Sequence, residues 1–327
     1  AGEWPVYGNR DKEFMVRLVI SADGPRAAGD WYDAFRCVAP ELDVRSWYEP
    51  GADIAHADYA LVWEPTSDDL RRMGHLKAII CVGAGVNHLL HDPGFPVHVP
   101  LVRMGGEQTA ALMADYVLWA ALGLLRDART WTVQQQRGVW KNNPVSRTCR
   151  EARIGIMGMG HLGAHVARHL HHVGFSVAGW RRTARDVPGI TVFTGTDALP
   201  DFLADLDILV DLLPSTHATR GIINHALLRC LPRGAGFINV GRGNHVIMDD
   251  LLRALDEGAL GAAVLDVTEP EPLPPGHPLW RHERVTITPH VASQASYEAQ
   301  ARYVRDVIMQ MERHERPALL CDPMRGY

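Results

Sequence analysis

The sequence predicts an α/β protein made of two doubly wound parallel-sheet domains. Three observations carry this. Short runs rich in β-branched residues alternate with helical patterns, and they do so twice along the chain. The runs are apolar throughout rather than at every second residue, as in strands covered on both faces. The length of 327 residues suits two domains of roughly 150 residues each.

In the first alternation, residues 17–20, 42–44, 59–63 and 77–82 read as strands, and residues 31–38 and 67–74 as helices. A proline-free helical pattern follows over residues 110–136. Its first half is apolar almost all round and reads as buried, with a subunit interface as one way to bury it. Residues 137–150 form a polar, irregular connection. The second alternation places strands at 153–157, 176–179, 191–193, 208–213, 236–240, 262–267 and 285–287. Helices fall near 161–173, 196–203, 224–231 and 249–258. Strands separated by helices of this length form βαβ units, and so a Rossmann-like sheet. The last helix, about residues 294–314, comes after the second sheet is complete. It is expected to return and complete a discontinuous first domain. The expected division is 1–103 plus 294–327 for the first domain and 104–293 for the second.

Composition narrows the function. With 46% hydrophobic and 22% charged residues, disorder is excluded as the main state. The net charge is −5 and no basic run stands out, which argues against nucleic acid as a partner. The longest apolar run, residues 116–125, falls well short of the ~20 residues that cross a bilayer. Five cysteines stand at 37, 81, 149, 230 and 321, with no CxxC pair. An odd, widely spaced set predicts neither a disulfide framework nor a zinc site. It fits a reducing, cytoplasmic compartment.

The cofactor signal is Gly158-Met159-Gly160-His161-Leu162-Gly163, a GxGxxG between a predicted strand and a predicted helix. The first glycine permits the tight turn, the second lets backbone approach a pyrophosphate, and the third lets helix and strand pack closely. The helix N-terminus offers amides and partial positive charge to the phosphates. An NAD site would place an acid about 20 residues on, at the end of the next strand. Here the chain reads Trp180-Arg181-Arg182-Thr183. Two guanidinium groups there suit a 2′-phosphate, so NADP(H) is the expected cofactor, with NAD(H) also admitted.

Three later strand ends carry polar residues. Asn239-Val240-Gly241-Arg242-Gly243 follows one strand. Leu265-Asp266-Val-Thr-Glu269-Pro-Glu271-Pro-Leu-Pro274 follows the next, and Thr288-Pro-His290 the one after. Ligands of open α/β sheets bind at such ends. His161, His165 and His169 also share one helix face. No acid or cysteine joins them, so a solvated face is expected and no metal.

This order of motifs resembles the D-2-hydroxyacid dehydrogenase family, along essentially the whole chain. Cys81-Val82-Gly83-Ala84-Gly85-Val86-Asn87 is similar to that family's substrate-domain loop. Leu212-Leu213-Pro214, Gly221-Ile-Ile-Asn224 and the terminal Arg325-Gly-Tyr327 resemble its bacterial glyoxylate/hydroxypyruvate reductase branch. The resemblance implies that Arg242 binds the substrate carboxylate and carbonyl, and that Glu271 hydrogen-bonds His290, the general acid. Glu269 is the competing carboxylate; the family's spacing selects Glu271. The amides of Val82, Gly83 and Ala84 would face the carboxylate. Residues 158–163 and 180–183 would line the cofactor with Leu213, Pro214, Val240, Gly241 and Asp266, the last beside the nicotinamide amide. The implied partner is a small 2-keto or 2-hydroxy acid, and a homodimer is the expected assembly. Gly241 stands where the family more often has Ala, and Ala295 where it often has Thr. A bulkier or phosphorylated substrate, or a dinucleotide-sensing role without turnover, are the competing readings.

Overall fold

The computed structural model describes residues 15–49, 51, 53–142, 144 and 147–322. The Arg325-Gly-Tyr327 end lies outside the described residues. Two compact units form: Ala1–Gln108 with Ala295–Tyr327, and Thr109–Gln294. The chain passes from one unit to the other at 108/109 and 294/295, where the sequence places the divisions at 103/104 and 293/294.

In the first unit, β1 (Arg17–Ser21), β2 (Asp43–Ser46), β3 (Tyr59–Val62), β4 (Ala78–Cys81) and β5 (Leu101–Arg103) form a parallel sheet in the order β2-β1-β3-β4-β5. Helices α1 (Ala28–Val38), α2 (Ser67–Arg72) and α3 (Asn87–Leu90) connect them. Every residue of β3 and β4 is buried, which is why their sequences carry no alternation. The three-residue β5 follows Pro100 and is too short to show a period. The C-terminal helix, Tyr297–Glu312, packs on α1, with the Trp31 and Tyr297 rings 4.8 Å apart edge to face. Arg305 Nη1 donates to the Val38 carbonyl at 2.8 Å. Tyr59 is wholly buried, and its hydroxyl donates to Glu312 Oε1 at 2.7 Å. Burial, reinforced by that carboxylate, pushes the Tyr59 hydroxyl far up. The first domain is thus discontinuous and completed by the last helix.

The second unit opens with α4 (Glu107–Leu125) and α5 (Ala128–Gln136). Sequence periodicity reads these as one helix; the structure breaks them at Asp127, whose φ of 56° is left-handed. Asp tolerates that region because its short side chain bonds locally, and a single such residue leaves no trace in an apolar pattern. Nor is α4 buried all round: Trp119 and Leu122 are exposed. The sheet comprises β6 (Arg153–Met157), β7 (Ser176–Arg181), β8 (Thr191–Thr194), β9 (Ile208–Asp211), β10 (Ala235–Asn239), β11 (Leu260–Leu265) and β12 (Val285–Ile287). All pairs are parallel, in the order β12-β11-β10-β9-β6-β7-β8. Winding reverses between β6 and β9, the crevice where such sheets bind ligands. Helices α6 (His161–Val173), α7 (Leu199–Leu203), α8 (His225–Leu228) and α9 (Met248–Asp256) cover the faces. Phe202, Phe237 and Leu251 fill one side; Val117, Ile156 and Val166 fill the other.

Asp207, just before β9, accepts Arg147 Nη1 and Nη2 at 2.7 and 2.8 Å and the Arg153 amide at 2.8 Å. Burial opposes its ionisation, but the Arg147 and Arg153 bonds hold it below the usual carboxylate range. A lowered folded-state value means stabilisation that is present above the unfolded value and lost as pH falls through the folded one. Asp207→Asn is therefore expected to cost about 1 kcal/mol near neutrality, given the partly exposed pair. Denaturant unfolding should show the difference shrinking toward pH ~3, below the ordinary carboxylate value; an equal loss at both pH values would refute the assignment.

Candidate active site

The glycine turn joins β6 to α6 at the reversal of winding. Gly158 has a φ of 105°, and a Cβ there would stand 2.3 Å from the Leu212 carbonyl oxygen. At Gly163 it would stand 2.0 Å from the Gly158 oxygen. The chain's own packing therefore requires both. Gly160 differs: a Cβ there would meet nothing within 4 Å. Its bareness serves no internal contact and leaves space above the turn. The helix that begins at His161 has no side-chain cap, so its first amides are available to an anion. Bare backbone and uncapped amides together fit a dinucleotide pyrophosphate.

Other expected cofactor residues divide into those that face outward and those that support. Arg181 is partly exposed, and Arg182 and Thr183 are exposed, as is His161. Met159 is buried against β7, where a Cβ on Gly179 would reach within 2.5 Å of its Cγ. Leu162 packs partly on the core. Trp180 belongs to the core: its indole Nε1 donates to the Gly195 carbonyl at 2.8 Å. Its own carbonyl accepts the Gly158 amide at 3.0 Å, so Trp180 shapes the turn through backbone rather than offering its ring. The Leu213 and Val240 side chains are likewise buried, and Pro214 is half-buried.

At the end of β10, Asn239 is wholly buried. Its Oδ1 accepts the Gly241 amide at 3.0 Å, and its Nδ2 donates to the Arg242 carbonyl at 3.1 Å. This one amide fixes the loop carrying Arg242, whose Nη1 donates to the Gly241 carbonyl at 2.7 Å. A Cβ on Gly243 would fall 1.9 Å from the Thr268 carbonyl oxygen. The Arg242 loop thus presses against the loop that carries Glu271.

At the end of β11, Asp266 is buried and plays the same part for the next loop. Its Oδ1 accepts Thr288 Oγ1 at 2.6 Å and the Val291 amide at 2.9 Å; its Oδ2 accepts the Ala292 amide at 3.0 Å. Its carbonyl accepts the His290 amide at 2.9 Å. These four bonds clamp the loop after β12 and hold His290 at a φ of 55°, a region open to few residues other than glycine. Tyr116 of α4 adds a bond from its hydroxyl to Thr288 Oγ1 at 2.5 Å. Burial pushes that hydroxyl up to about 12. Sequence reading missed Tyr116 and Thr288 as supports, because one lay in an apolar helix and the other was only a motif letter.

Glu271, not Glu269, meets His290: Oε1 lies 2.7 Å from Nδ1. The imidazole donates from Nδ1 to the carboxylate, which leaves Nε2 as the nitrogen able to meet a substrate. Both side chains are about two-fifths exposed, at 43% and 42%, so the pair is open to solvent and to small molecules. Arg242, Glu271 and His290 arise from the ends of three neighbouring strands.

The first unit's loop corrects one expectation. The Val82 amide donates to the Val62 carbonyl at 3.0 Å, continuing the β3/β4 ladder, and so is already spent. Among the described residues the Gly83 amide meets the weak acceptor Cys81 Sγ, at 3.4 Å. An anion nest here narrows to Gly83 and Ala84. Gly83 is required by packing as well, since a Cβ would lie 2.4 Å from the Trp63 ring.

Residues 118–292 match the D-isomer specific 2-hydroxyacid dehydrogenase, NAD binding domain. Among curated proteins, the glyoxylate/hydroxypyruvate reductase A of Serratia proteamaculans (strain 568) is 39% identical over 306 residues, covering 92% of this chain and 96% of the relative. A D-isomer specific 2-hydroxyacid dehydrogenase from Xanthobacter autotrophicus Py2, solved with NADPH and MES, is 40% identical. It has a TM-score of 0.89, over 96% of this chain and 100% of that one. The NADPH-dependent glyoxylate/hydroxypyruvate reductase of Sinorhizobium meliloti, solved with NADP and sulfate, is 34% identical. Its TM-score is 0.87, over 95% of this chain and 99% of that one. A family model matched over more than half of the chain, and relatives matched along nearly all of it, lead to one conclusion: the chain belongs to the D-isomer specific 2-hydroxyacid dehydrogenase family and is an NAD(P)-dependent oxidoreductase.

Proposed function

We propose that the chain reduces glyoxylate or hydroxypyruvate to the corresponding 2-hydroxy acid with NADPH. The 2.7 Å contact between Glu271 and His290 carries the reading. It supports an imidazole that keeps its Nδ1 proton on a carboxylate and presents Nε2 as a proton donor. Arg242 is suited to the substrate's carboxylate and neighbouring carbonyl, which a planar guanidinium engages together. NADPH held at the glycine turn would supply the hydride for C2. Negative charge then grows on the carbonyl oxygen, where the His290 Nε2 proton goes. Glu271 stabilises the imidazolium before transfer and holds the ring in place afterward. The uncapped start of α6 and open Gly160 would hold the pyrophosphate, and Arg181 and Arg182 the 2′-phosphate.

The relatives in the Sinorhizobium and Serratia enzymes are named for these two substrates. The direct test follows the loss of reduced-nicotinamide absorbance with glyoxylate or hydroxypyruvate, with NADPH and NADH in parallel. Absence of oxidation with both substrates would overturn the proposal in favour of a larger substrate or of sensing without turnover. The double replacement Arg181→Ala, Arg182→Ala is expected to raise the KM for NADPH about tenfold to a hundredfold, with NADH changed far less. Equal losses for both cofactors would remove the 2′-phosphate role. We also propose the homodimer: Trp119, Leu122 and Trp131 are exposed on α4 and α5 and supply apolar surface for it. Sedimentation that stays monomeric at all concentrations would exclude that assembly.

A further inference from the structure

Asp211 and His245 are both wholly buried, and neither has a part in the chemistry above. Asp211 ends β9; His245 closes the turn that follows Arg242. His245 Nδ1 lies 2.7 Å from Asp211 Oδ2, and Asp211 Oδ1 accepts the Leu213 amide at 3.0 Å. The Arg242 amide lies 3.3 Å from the same Nδ1. One ring nitrogen cannot donate and accept at once. The shorter contact is to a carboxylate, so Nδ1 carries the proton and gives it to Asp211. The other ring nitrogen, Nε2, is buried without a hydrogen-bond partner among the described residues.

That orphaned nitrogen matters. An apolar side chain would fill the same volume without leaving a buried polar atom unmatched. Packing alone therefore does not account for a histidine at this position; the Nδ1 bond does. The pair also sits against the Arg242 loop. A Cβ on Gly241 would stand 3.0 Å from Asp211 Oδ2 and 3.1 Å from His245 Nδ1, and the Gly241 carbonyl accepts the Arg242 guanidinium. Asn244 Nδ2 donates to Ser215 Oγ at 2.9 Å, tying the same two loops a second time.

We propose that His245, held by Asp211, is a positioning residue for Arg242. The His245 amide donates to the Arg242 carbonyl at 3.2 Å, and the paired side chains pack on Gly241, so the pair holds this backbone against the loop after β9 and sets the guanidinium for the substrate carboxylate. This rests on the reading of Arg242 as the carboxylate-binding residue.

Two replacements of His245 separate positioning from filling of space. Asparagine carries its amide nitrogen near the place of Nδ1 and keeps a donor to Asp211. Glutamine is closer to histidine in volume but carries its amide near the place of Nε2. His245→Asn is expected to hold the KM for glyoxylate within about threefold of the parent. His245→Gln is expected to raise it by tenfold or more, since misplacement of a binding group by about 1 Å can cost a hundredfold. NADPH affinity, read by fluorescence titration, should stay within about twofold in both variants. Equal KM values for the two, or a parallel loss of NADPH affinity, would overturn the proposal. Arg242→Ala checks the reading beneath it. If that variant leaves the KM unchanged, the role of Arg242 fails and the positioning role fails with it. If it raises the KM while the two His245 variants match, only the positioning role fails. A measurement on the parent protein covers the case of unfolded variants. Nitrogen-resolved NMR of the histidine rings should show His245 protonated at Nδ1 and slow to exchange; a proton on Nε2 instead would also overturn the proposal.

Discussion

Replacement of His290 by asparagine is expected to lower kcat by about a thousandfold, within the range assigned to a positioned general acid. Asparagine is the informative choice for two reasons. His290 holds a φ of 55°, and asparagine is among the few side chains that enter this region readily. Its amide nitrogen also stands near the place of Nδ1 and keeps a bond to Glu271. The variant thus preserves the loop, the carboxylate contact and the four bonds to Asp266, and removes only Nε2. NADPH affinity and melting temperature should stay near those of the parent, because the side chain is two-fifths exposed. A kcat within tenfold of the parent would show that the proton comes from elsewhere. A collapse of cofactor affinity would show that His290 serves the dinucleotide instead.

The second large effect lies in the glycine turn, where two glycines with different reasons for being glycine can be set against each other. Gly163→Ala puts a methyl 2.0 Å from the Gly158 carbonyl oxygen. The obstacle is backbone, so nothing flexible can swing aside. The expected cost is about 3 kcal/mol or more, at the upper end for overpacking, with loss of NADPH binding as the turn opens. Gly160→Ala meets nothing within 4 Å and should melt with the parent. It should nonetheless bind NADPH at least tenfold more weakly, because the new methyl occupies the space through which a pyrophosphate approaches. Thermal melting and cofactor titration on both variants decide the matter. A Gly160→Ala protein with full NADPH affinity would mean that the dinucleotide does not cross this turn.

Much of this site is legible in the sequence because its chemistry needs particular residue types at strand ends. The turn at residues 158–163 and the Arg242, Glu271 and His290 positions are all of that kind. The covered strands were legible for a similar reason, since four consecutive buried residues in β3 or β4 leave an unbroken apolar run. What escaped was set by single backbone angles or by contacts across the sheet. The break at Asp127 needs one left-handed residue inside an otherwise helical pattern. The loss of the Val82 amide comes from a ladder bond to Val62, invisible without the pairing of β3 with β4. Asp211 is silent for the same reason: its partner His245 is 34 positions away, and only the adjacency of β9 and β10 brings them together.

The C-terminal helix has a consequence for the order in which the chain acquires its structure. Chains fold domain by domain as they are made, in general from the N-terminus. Here the unit that is begun first is finished last. The second unit is one uninterrupted stretch, Thr109–Gln294, and has all its parts once that stretch has left the ribosome. The first unit must wait. Until residues 297–312 emerge, Trp31 lacks its cover from Tyr297, and the hydroxyl of Tyr59 lacks Glu312. Until then the face of α1 that Tyr297 covers stays open, while the second unit already has all its parts.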